Sequence, residues 1–183
     1  MSRGLVILDR DGVINYDSEY FIKSTNEWHP IDGSLEGIAR LSRAGFDIAV
    51  ATNQSGIGRK LLDVATLDSI HRKMLATARK AGGDIGKIVY CPHLPTAGCD
   101  CRKPQPGLLM QLSRNYSVPQ TGVPIVGDSV RDIDAAVAAG GRPILVRTGN
   151  GTQSEAALAK RGLEIDVYDD LAQFAEAFVN RSR

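Results

Sequence analysis

Hydrophobic and polar residues alternate along this chain with two periods, one typical of β-strands and one typical of α-helices. Short apolar runs at 5–8 and 46–51 have the length and composition of buried strands. Elsewhere, apolar residues recur three or four positions apart, as at Leu67, Ile70 and Met74, which is the spacing of an amphipathic helix. The predicted strands are residues 5–8, 46–51, 87–91, 124–126, 143–146 and 166–168, and the predicted helices are residues 34–44, 67–78, 106–116, 132–139, 154–161 and 171–180. Because strands that alternate with helices form a parallel sheet with helices on both faces, we predict an α/β fold.

The length and composition indicate one domain with an ordinary surface. A chain of 183 residues is predicted to form a single unit, 1–183, that buries a substantial core. Charged residues make up 23% of the chain, but the formal net charge is only +1, which argues against a general nucleic-acid or membrane surface. No apolar run approaches the length of a signal peptide core or a membrane span. We therefore expect a cytoplasmic protein that binds neither nucleic acid nor membrane.

The first predicted strand ends on two carboxylates, Asp9 and Asp11, which are followed by Gly12. Side chains two residues apart on an extended segment project to the same side, at the strand end where open α/β sheets bind their ligands. Two close carboxylates repel each other unless a cation or a shared proton relieves them. The pair indicates a hard metal ion, a nucleophile with an acid/base, or both. The alternative is an ordinary turn, in which Asp and Gly are common.

Polar residues also follow two other predicted strands. Residues 52–56 (Thr-Asn-Gln-Ser-Gly) offer a hydroxyl, amides and a flexible backbone to an oxyanion, and residues 127–132 offer further carboxylates to a cation. Between them, Arg102 and Lys103 form a pair of cations that could hold a phosphate. In a parallel sheet, these groups converge on one edge.

Four metal-ligating side chains lie within residues 91–101. Cys91, His93, Cys99 and Cys101 supply three thiols and an imidazole, a set that would fill the tetrahedral shell of a structural zinc ion. The alternative is a group of free cysteines with a surface histidine. Because Arg102 follows Cys101 directly, a zinc ion would also fix the two basic residues beyond it, so we expect zinc removal to reduce both stability and activity.

The motifs together resemble those of the haloacid dehalogenase (HAD) superfamily of aspartyl phosphotransferases. The matching residues, in order, are Asp9-x-Asp11, Thr52, Lys103 and Gly127-Asp128-x-x-x-Asp132. The resemblance implies a phosphoric monoester hydrolase built as a Rossmann-like three-layer α/β/α sandwich with a mainly parallel sheet. Between Asp11 and Thr52 there is room for about one helix. The stretch from Thr52 to Lys103 holds one helix, one strand and residues 91–101, which we call the zinc loop. We therefore expect a capless enzyme with an open site.

The resemblance also implies the role of each motif residue. Asp9 would be the nucleophile and Asp11 the general acid/base, while Thr52 and Lys103 would stabilise the transferred phosphoryl group. Magnesium would be held by Asp9, the backbone carbonyl of Asp11 and Asp128. Since these residues all come from one chain, and no long heptad or broad exposed apolar stretch is evident, we expect a monomer.

Asp132, the last residue of the motifs, has two interpretations that the sequence leaves open. It could hold magnesium through water, or it could orient its neighbours and cap the helix that follows.

Within the superfamily, Cys-Pro-His at 91–93 and Cys-Asp-Cys-Arg-Lys-Pro at 99–104 resemble two subfamilies. These are the D-glycero-D-manno-heptose 1,7-bisphosphate phosphatases and the histidinol-phosphate phosphatases. Residues 52–57, 102–107 and 145–149 favour the heptose subfamily, whereas the five residues between the zinc ligands at 93 and 99 are typical of the histidinol type. Resemblance to the heptose subfamily implies that the enzyme removes the C7 phosphate, and that its product supplies ADP- or GDP-heptose for lipopolysaccharide or surface glycan. Alternatives are histidinol phosphate hydrolysis, polynucleotide end hydrolysis, or phospholigand binding without turnover.

The position of each residue in the motifs implies the substrate contacts. They are Asp17, Ser18, Glu19, Tyr20, Asn53, Gln54, Ser55, Arg102 and Ser129, although Asp17, Ser18 and Ser129 are also common loop residues. A bisphosphate needs a second cationic subsite, for which Arg102, Arg59, Lys60 and Arg147 are candidates. Arg102 is the strongest of these because the zinc loop holds its neighbour.

Overall fold

The structure, a computed structural model, describes residues 4–182 and contains six strands and seven α-helices in that range. The strands are β1 (Leu5–Leu8), β2 (Asp47–Asn53), β3 (Ile88–Cys91), β4 (Pro124–Gly127), β5 (Arg142–Val146) and β6 (Asp166–Tyr168). The helices are α1 (Ser34–Arg43), α2 (Ser55–Gly58), α3 (Val64–Lys80), α4 (Gly107–Tyr116), α5 (Val130–Ala139), α6 (Gly151–Lys160) and α7 (Leu171–Arg181). Residues 1–3 and 183 of the predicted unit lie outside the described range.

All six strands belong to one parallel sheet with the order β3-β2-β1-β4-β5-β6. Alternate side chains of β1 face opposite sides: Val6 and Leu8 pack with α1, α3 and α7, whereas Leu5 and Ile7 pack with α4 and α5. Leu145 of β5 packs with α6 on this second side. The predicted three-layer α/β/α sandwich is therefore confirmed.

The strand order places the site. The chain leaves β1 for β2 on one side and later returns to pair β4 on the other, so β1 lies at the point where the order reverses. Ligands of open α/β sheets bind at the carboxyl ends of the strands at such a point. Between β1 and β2 the described chain forms only one turn of 3₁₀ helix, at Thr25–Glu27, and α1, so no cap domain is inserted there.

The predicted strands and long helices are all present, with differences at their ends. The predicted helix at 34–44 is α1; Ser34 is its first helical residue, and the hydroxyl of Ser34 donates to the carbonyl of Ile14. The helix α5 begins at Val130 rather than at 132, because Ser129 and Asp132 form a capping box. The short helix α2 was not predicted. None of the helices within residues 4–182 is long and apolar enough to cross a membrane.

Candidate active site

A cavity of about 310 Å³ lies at the carboxyl ends of β1, β2 and β4. Its lining includes every residue predicted to act on phosphate or magnesium, namely Asp9, Asp11, Thr52, Lys103 and Asp128, together with Asp132. Seven of the nine predicted substrate contacts also line it: Asp17, Ser18, Asn53, Gln54, Ser55, Arg102 and Ser129. Glu19 and Tyr20 do not, and Tyr20 is 78% exposed. The predicted roles of all these residues stay predictions.

A buried lysine connects two carboxylates in this cavity. Nζ of Lys103 lies 3.0 Å from Oδ1 of Asp9 and 2.6 Å from Oδ1 of Asp132, and it donates to the carbonyl of Ala51 at 2.8 Å. Burial disfavours the charged amine, but Asp132 and Asp9 more than compensate and raise the pKa of Lys103 above its ordinary value. Lys103 is therefore a fixed positive charge beside Asp9.

The end of β2 holds Lys103 in place. Nδ2 of Asn53 donates to the carbonyl of Lys103, and the backbone N–H of Lys103 donates to Oδ1 of Asn53, both at 3.1 Å. Thr52, which is 1% exposed, accepts a hydrogen bond from the Gln54 amide at 2.9 Å. The second strand thus supplies a hydroxyl, a positioned lysine and an amide to the same cavity.

The carboxylate of Asp11 accepts hydrogen bonds from three neighbouring side chains. Asn15 donates to Oδ1 at 2.9 Å, Gln54 donates to Oδ2 at 2.8 Å, and Arg10 donates to both oxygens. Burial acts to raise the pKa of Asp11, but the Arg10 charge and these hydrogen bonds hold it below its ordinary value. Asp11 is therefore an ionised carboxylate in the free protein.

Asp128 lies in a cradle of backbone. A Cβ atom built on Gly12 would come within 2.1 Å of Oδ2 of Asp128, and one on Gly149 within 2.2 Å; both glycines have positive φ. The backbone N–H and side-chain amide of Asn150 donate to the same oxygen at 2.8 and 3.2 Å. These contacts fix one oxygen of Asp128 and leave Oδ1 for another ligand.

The three acidic groups Asp9, Asp128 and Asp132 offer oxygens that lie within 4.8 Å of one another. Burial, and next the charge of Asp132, raise the pKa of Asp128 to about 7, and burial raises that of Asp9 well above its ordinary value. Part of the rise in both pKa values comes from repulsion between the ionised carboxylates, and a cation between them would relieve this repulsion. Carboxylate oxygens are also ligands that magnesium prefers. The residues present therefore fit a magnesium ion.

Both oxygens of Asp132 have partners in the structure. Oδ2 accepts from the backbone N–H of Ser129 at 3.0 Å and from its hydroxyl at 2.6 Å, while Oδ1 faces Lys103. Asp132 therefore takes part in the capping box of α5 and pairs with Lys103. Its predicted contact with magnesium through water stays a prediction.

The three cysteines and His93 form a compact group that could hold one metal ion. Sγ of Cys91 lies 3.1 Å from Sγ of Cys101 and 3.6 Å from that of Cys99, and Nδ1 of His93 lies 3.3 Å from Sγ of Cys101. Ligands around a tetrahedral zinc ion lie roughly 3.5 to 3.8 Å apart, so these four groups are close enough to surround one ion. Burial and the neighbouring thiols raise the pKa of Cys101 to about 12, so three thiolates this close need a cation between them. The four residues fit structural zinc.

Three residues of this region were missed by sequence reasoning. Arg10 is completely buried between the two motif aspartates, Asn150 holds Asp128, and Arg131 lines the cavity. Arg131 lies inside the 127–132 motif, so a basic residue in a predicted phosphate site was a signal that could have identified it. Arg10 likewise stood between two carboxylates. Nothing in the sequence marks Asn150.

Known proteins resemble both the sequence and the fold. The HAD-hydrolase-like family model matches residues 100–174. D-glycero-β-D-manno-heptose-1,7-bisphosphate 7-phosphatase of Pseudomonas aeruginosa is 50% identical over 179 residues, which cover 98% of this chain and 99% of the relative.

Two solved structures are also similar. The D,D-heptose 1,7-bisphosphate phosphatase of Bordetella bronchiseptica, complexed with magnesium and phosphate, has a TM-score of 0.92 and 49% identity, covering 99% of both chains. The corresponding Burkholderia thailandensis enzyme has a TM-score of 0.75 and 42% identity, covering 97% of this chain and 99% of that one. The chain belongs to the heptose 1,7-bisphosphate phosphatase family of HAD-like hydrolases.

Proposed function

We propose that this chain is a magnesium-dependent phosphatase that removes the C7 phosphate of D-glycero-β-D-manno-heptose 1,7-bisphosphate. The β anomer and the position of cleavage are those in the names of its relatives. The observation that carries the proposal is the position of Asp9, which lies 3.0 Å from the buried Lys103 amine in the cavity at the sheet edge. The product, heptose 1-phosphate, would supply ADP- or GDP-heptose for lipopolysaccharide or surface glycan.

The first step transfers the phosphoryl group to Asp9. A carboxylate oxygen of Asp9 attacks phosphorus, an oxygen–phosphorus bond forms, and the bond from phosphorus to the C7 oxygen breaks. Asp11 donates a proton to the departing oxygen, so the sugar leaves as an alcohol. Asp11 is ionised in the free protein, but the negative charge of an arriving phosphate raises its pKa, as this acid role requires.

The second step regenerates the enzyme. Asp11 accepts a proton from a water molecule, whose oxygen attacks the phosphorus of the aspartyl-phosphate, and inorganic phosphate leaves while Asp9 becomes a carboxylate again. Lys103 and Thr52 contact the phosphoryl oxygens in both steps. Magnesium, held by Asp9, Asp128 and the Asp11 carbonyl, would offset the negative charge of the phosphate.

The second phosphate of the substrate needs cations beyond Lys103. Arg59, Arg102 and Arg131 all line the cavity, and none of them has a carboxylate within ion-pair distance among residues 4–182. After burial, the nearby charges of Arg131 and Arg59 help to lower the pKa of Arg102. Three unneutralised guanidiniums near one another favour a phosphate dianion, so we assign the C1 phosphate to them.

The other two candidates for this subsite are less suitable. Arg147 forms ion pairs with Glu155 and Asp169 at 2.7 and 2.6 Å and does not line the cavity. Lys60 is exposed and also outside the lining.

Steady-state rates with a panel of phosphate esters, with and without magnesium, test the substrate assignment. We expect the highest kcat/KM with the β-heptose 1,7-bisphosphate. Histidinol phosphate has no second phosphate for the arginines, so we expect a much lower kcat/KM with it. A higher kcat/KM with histidinol phosphate than with the heptose bisphosphate would identify a histidinol-phosphate phosphatase instead. Turnover of 5′- or 3′-phosphorylated oligonucleotides would favour an end phosphatase. Phosphate binding without turnover of any ester would favour a binding protein. We further expect a cytoplasmic monomer.

A further inference from the structure

Arg10 is a completely buried arginine whose side chain carries no role in the chemistry proposed above. Arginine is almost never fully buried unless it is paired. Its partner is the adjacent residue in the chain: Nε donates to Oδ1 of Asp11 at 3.0 Å, and Nη2 donates to Oδ1 and Oδ2 at 2.8 and 3.0 Å. Arg10 thus makes three of the five side-chain hydrogen bonds that the structure gives to this carboxylate.

Two other elements fix the guanidinium of Arg10 itself. Nη1 lies 3.3 Å from Nε2 of His71 on α3, and Nη2 donates to Oε1 of Gln54, just after β2, at 3.2 Å. Burial and the Arg10 charge lower the pKa of His71 to about 4, so the imidazole is neutral at pH 7 and Nε2 can accept this hydrogen bond. The guanidinium plane is therefore held from a helix and a strand end that are distant in sequence.

Gln54 connects the same network to the phosphoryl site. Its amide nitrogen donates to Oδ2 of Asp11 and to Oγ1 of Thr52 at 2.8 and 2.9 Å. Each end of the Gln54 amide therefore has a defined partner, because its oxygen accepts from Arg10. The orientation of the Asp11 carboxylate is thereby coupled to the position of Thr52.

We propose that Arg10 is a positioning residue for proton transfer: it fixes the plane of the Asp11 carboxylate so that one oxygen meets the departing sugar oxygen. The proposal rests on the acid/base role of Asp11 in the proposed function. Proton transfer requires the donor within hydrogen-bond reach of the leaving atom, and small misplacements are costly. His71 acts one step further out, by holding Arg10.

The test compares two leaving groups by kcat/KM, which reports the steps up to departure of the leaving group. An alkoxide leaving from heptose 1,7-bisphosphate needs a proton, whereas p-nitrophenolate leaves without one. We expect Arg10→Met to lower kcat/KM for the sugar by roughly 10- to 100-fold, which is part of the roughly 10²- to 10⁴-fold that a general acid contributes. For p-nitrophenyl phosphate we expect a loss of less than about threefold. In the Arg10→Met variant, Asp11 should also accept the proton from water less well, so hydrolysis of the aspartyl-phosphate becomes slower than its formation. A burst of p-nitrophenol should therefore precede the steady state.

Two further variants keep the test decisive if Arg10→Met folds poorly. Arg10→Lys retains the charge but cannot bind both oxygens in a fixed plane, so the sugar should still lose the larger factor. His71→Leu removes only the Nη1 acceptor and should have a smaller effect in the same direction. Arg142→Met is the matched control: it breaks the Arg142–Asp166 ion pair and should change kcat/KM for neither substrate. Thermal unfolding of each variant verifies folding.

The outcomes separate this proposal from the one it rests on. If Asp11→Asn lowers kcat/KM equally for both substrates, Asp11 is not the acid and the proposed function is wrong in that step. Asp11→Asn could instead lower kcat/KM more for the sugar than for p-nitrophenyl phosphate. If the folded Arg10 variants then lower kcat/KM equally for both substrates, Arg10 has only a structural role. Full activity of Arg10→Lys on the sugar would also contradict the proposal, because charge alone would then suffice.

Discussion

Nζ of Lys103 lies 2.6 Å from Oδ1 of Asp132, and only 4% and 2% of the two side chains are exposed. A buried charge is costly unless a partner compensates it, so each residue stabilises the ionised form of the other. Asp9 is the second partner of Lys103, and it must be free to attack phosphorus in the proposed reaction. In the proposed reaction, Asp132 would keep Lys103 charged and in place while Asp9 carries the phosphoryl group.

Replacement of Asp132 by Ala should destabilise the protein. We expect the free energy of unfolding to fall by about 3 kcal/mol, the low end for removing one partner of a buried pair, because Lys103 retains Asp9. Urea denaturation without magnesium measures the change. Asp166→Ala is the control: its ion pair with Arg142 is about one-third exposed, and the loss should be below about 1 kcal/mol. Equal losses in the two variants would contradict this account.

Magnesium should stabilise the protein more at high pH than at low pH. Burial and the charge of Asp132 raise the pKa of Asp128 from 3.8 to about 7. Between these values the folded protein binds a proton that the unfolded chain releases, so the free energy of unfolding of the metal-free protein falls as pH rises. Magnesium competes with that proton. We expect its effect on Tm to be larger at about pH 8 than at about pH 5.

Asp128→Asn is the control for this pH dependence. Without the titrating carboxylate, the Tm of the metal-free protein should fall less across the same pH range, and magnesium should have little effect at either pH. A magnesium shift in the native protein that does not change with pH would show that Asp128 does not titrate as described.

Removal of zinc should lower both stability and activity. Cys101, one of the four residues that could hold zinc, is followed directly by Arg102 and Lys103, so loss of the metal would free two cations that the proposed reaction uses. We expect a chelator to release about one zinc ion per chain, to lower Tm and to reduce kcat/KM. Cys99→Ser should have the same effects without chelator. A metal-free protein with unchanged Tm and kcat/KM would exclude this role for the cluster.

Arg131→Ala should discriminate between bisphosphate and monophosphate substrates. Arg131 lines the cavity and has no carboxylate partner among residues 4–182, so its loss should remove a contact to the C1 phosphate. We expect KM for heptose 1,7-bisphosphate to rise roughly 10-fold, while kinetics with heptose 7-phosphate stay nearly unchanged. Arg147→Ala, which breaks ion pairs outside the cavity, serves as the control. An equal effect of Arg131→Ala on both substrates would exclude Arg131 from the C1 subsite.

The sheet could be predicted from the sequence because each strand is a short apolar run between helical patterns. The assembly of the site could also be predicted, since Asp9, Thr52 and Asp128 lie at the ends of β1, β2 and β4, which are neighbours in the sheet. Parallel strands bring such ends together whatever the detailed packing. The helix α2 escaped prediction because four residues are too few to show a helical period.

The contacts that orient these groups could not be predicted in the same way. Arg10 meets His71 across 61 residues of sequence, and Asn150 meets Asp128 across 22. Such pairs depend on how helices and loops pack against the sheet, which residue spacing does not encode. The sequence therefore predicted most of the residues that line the cavity, but not the neighbours that hold them there.

The central claim is that Asp9 attacks the phosphate at C7, and ³¹P NMR of D-glycero-β-D-manno-heptose 1,7-bisphosphate tests it most directly. With the native protein and magnesium, we expect the C7 resonance to disappear, inorganic phosphate to accumulate in equal amount, and the C1 resonance to remain. With Asp9→Asn, which keeps the shape of the side chain but removes the nucleophile, both sugar resonances should persist. Loss of the C1 phosphate, or unchanged turnover by Asp9→Asn, would contradict the account.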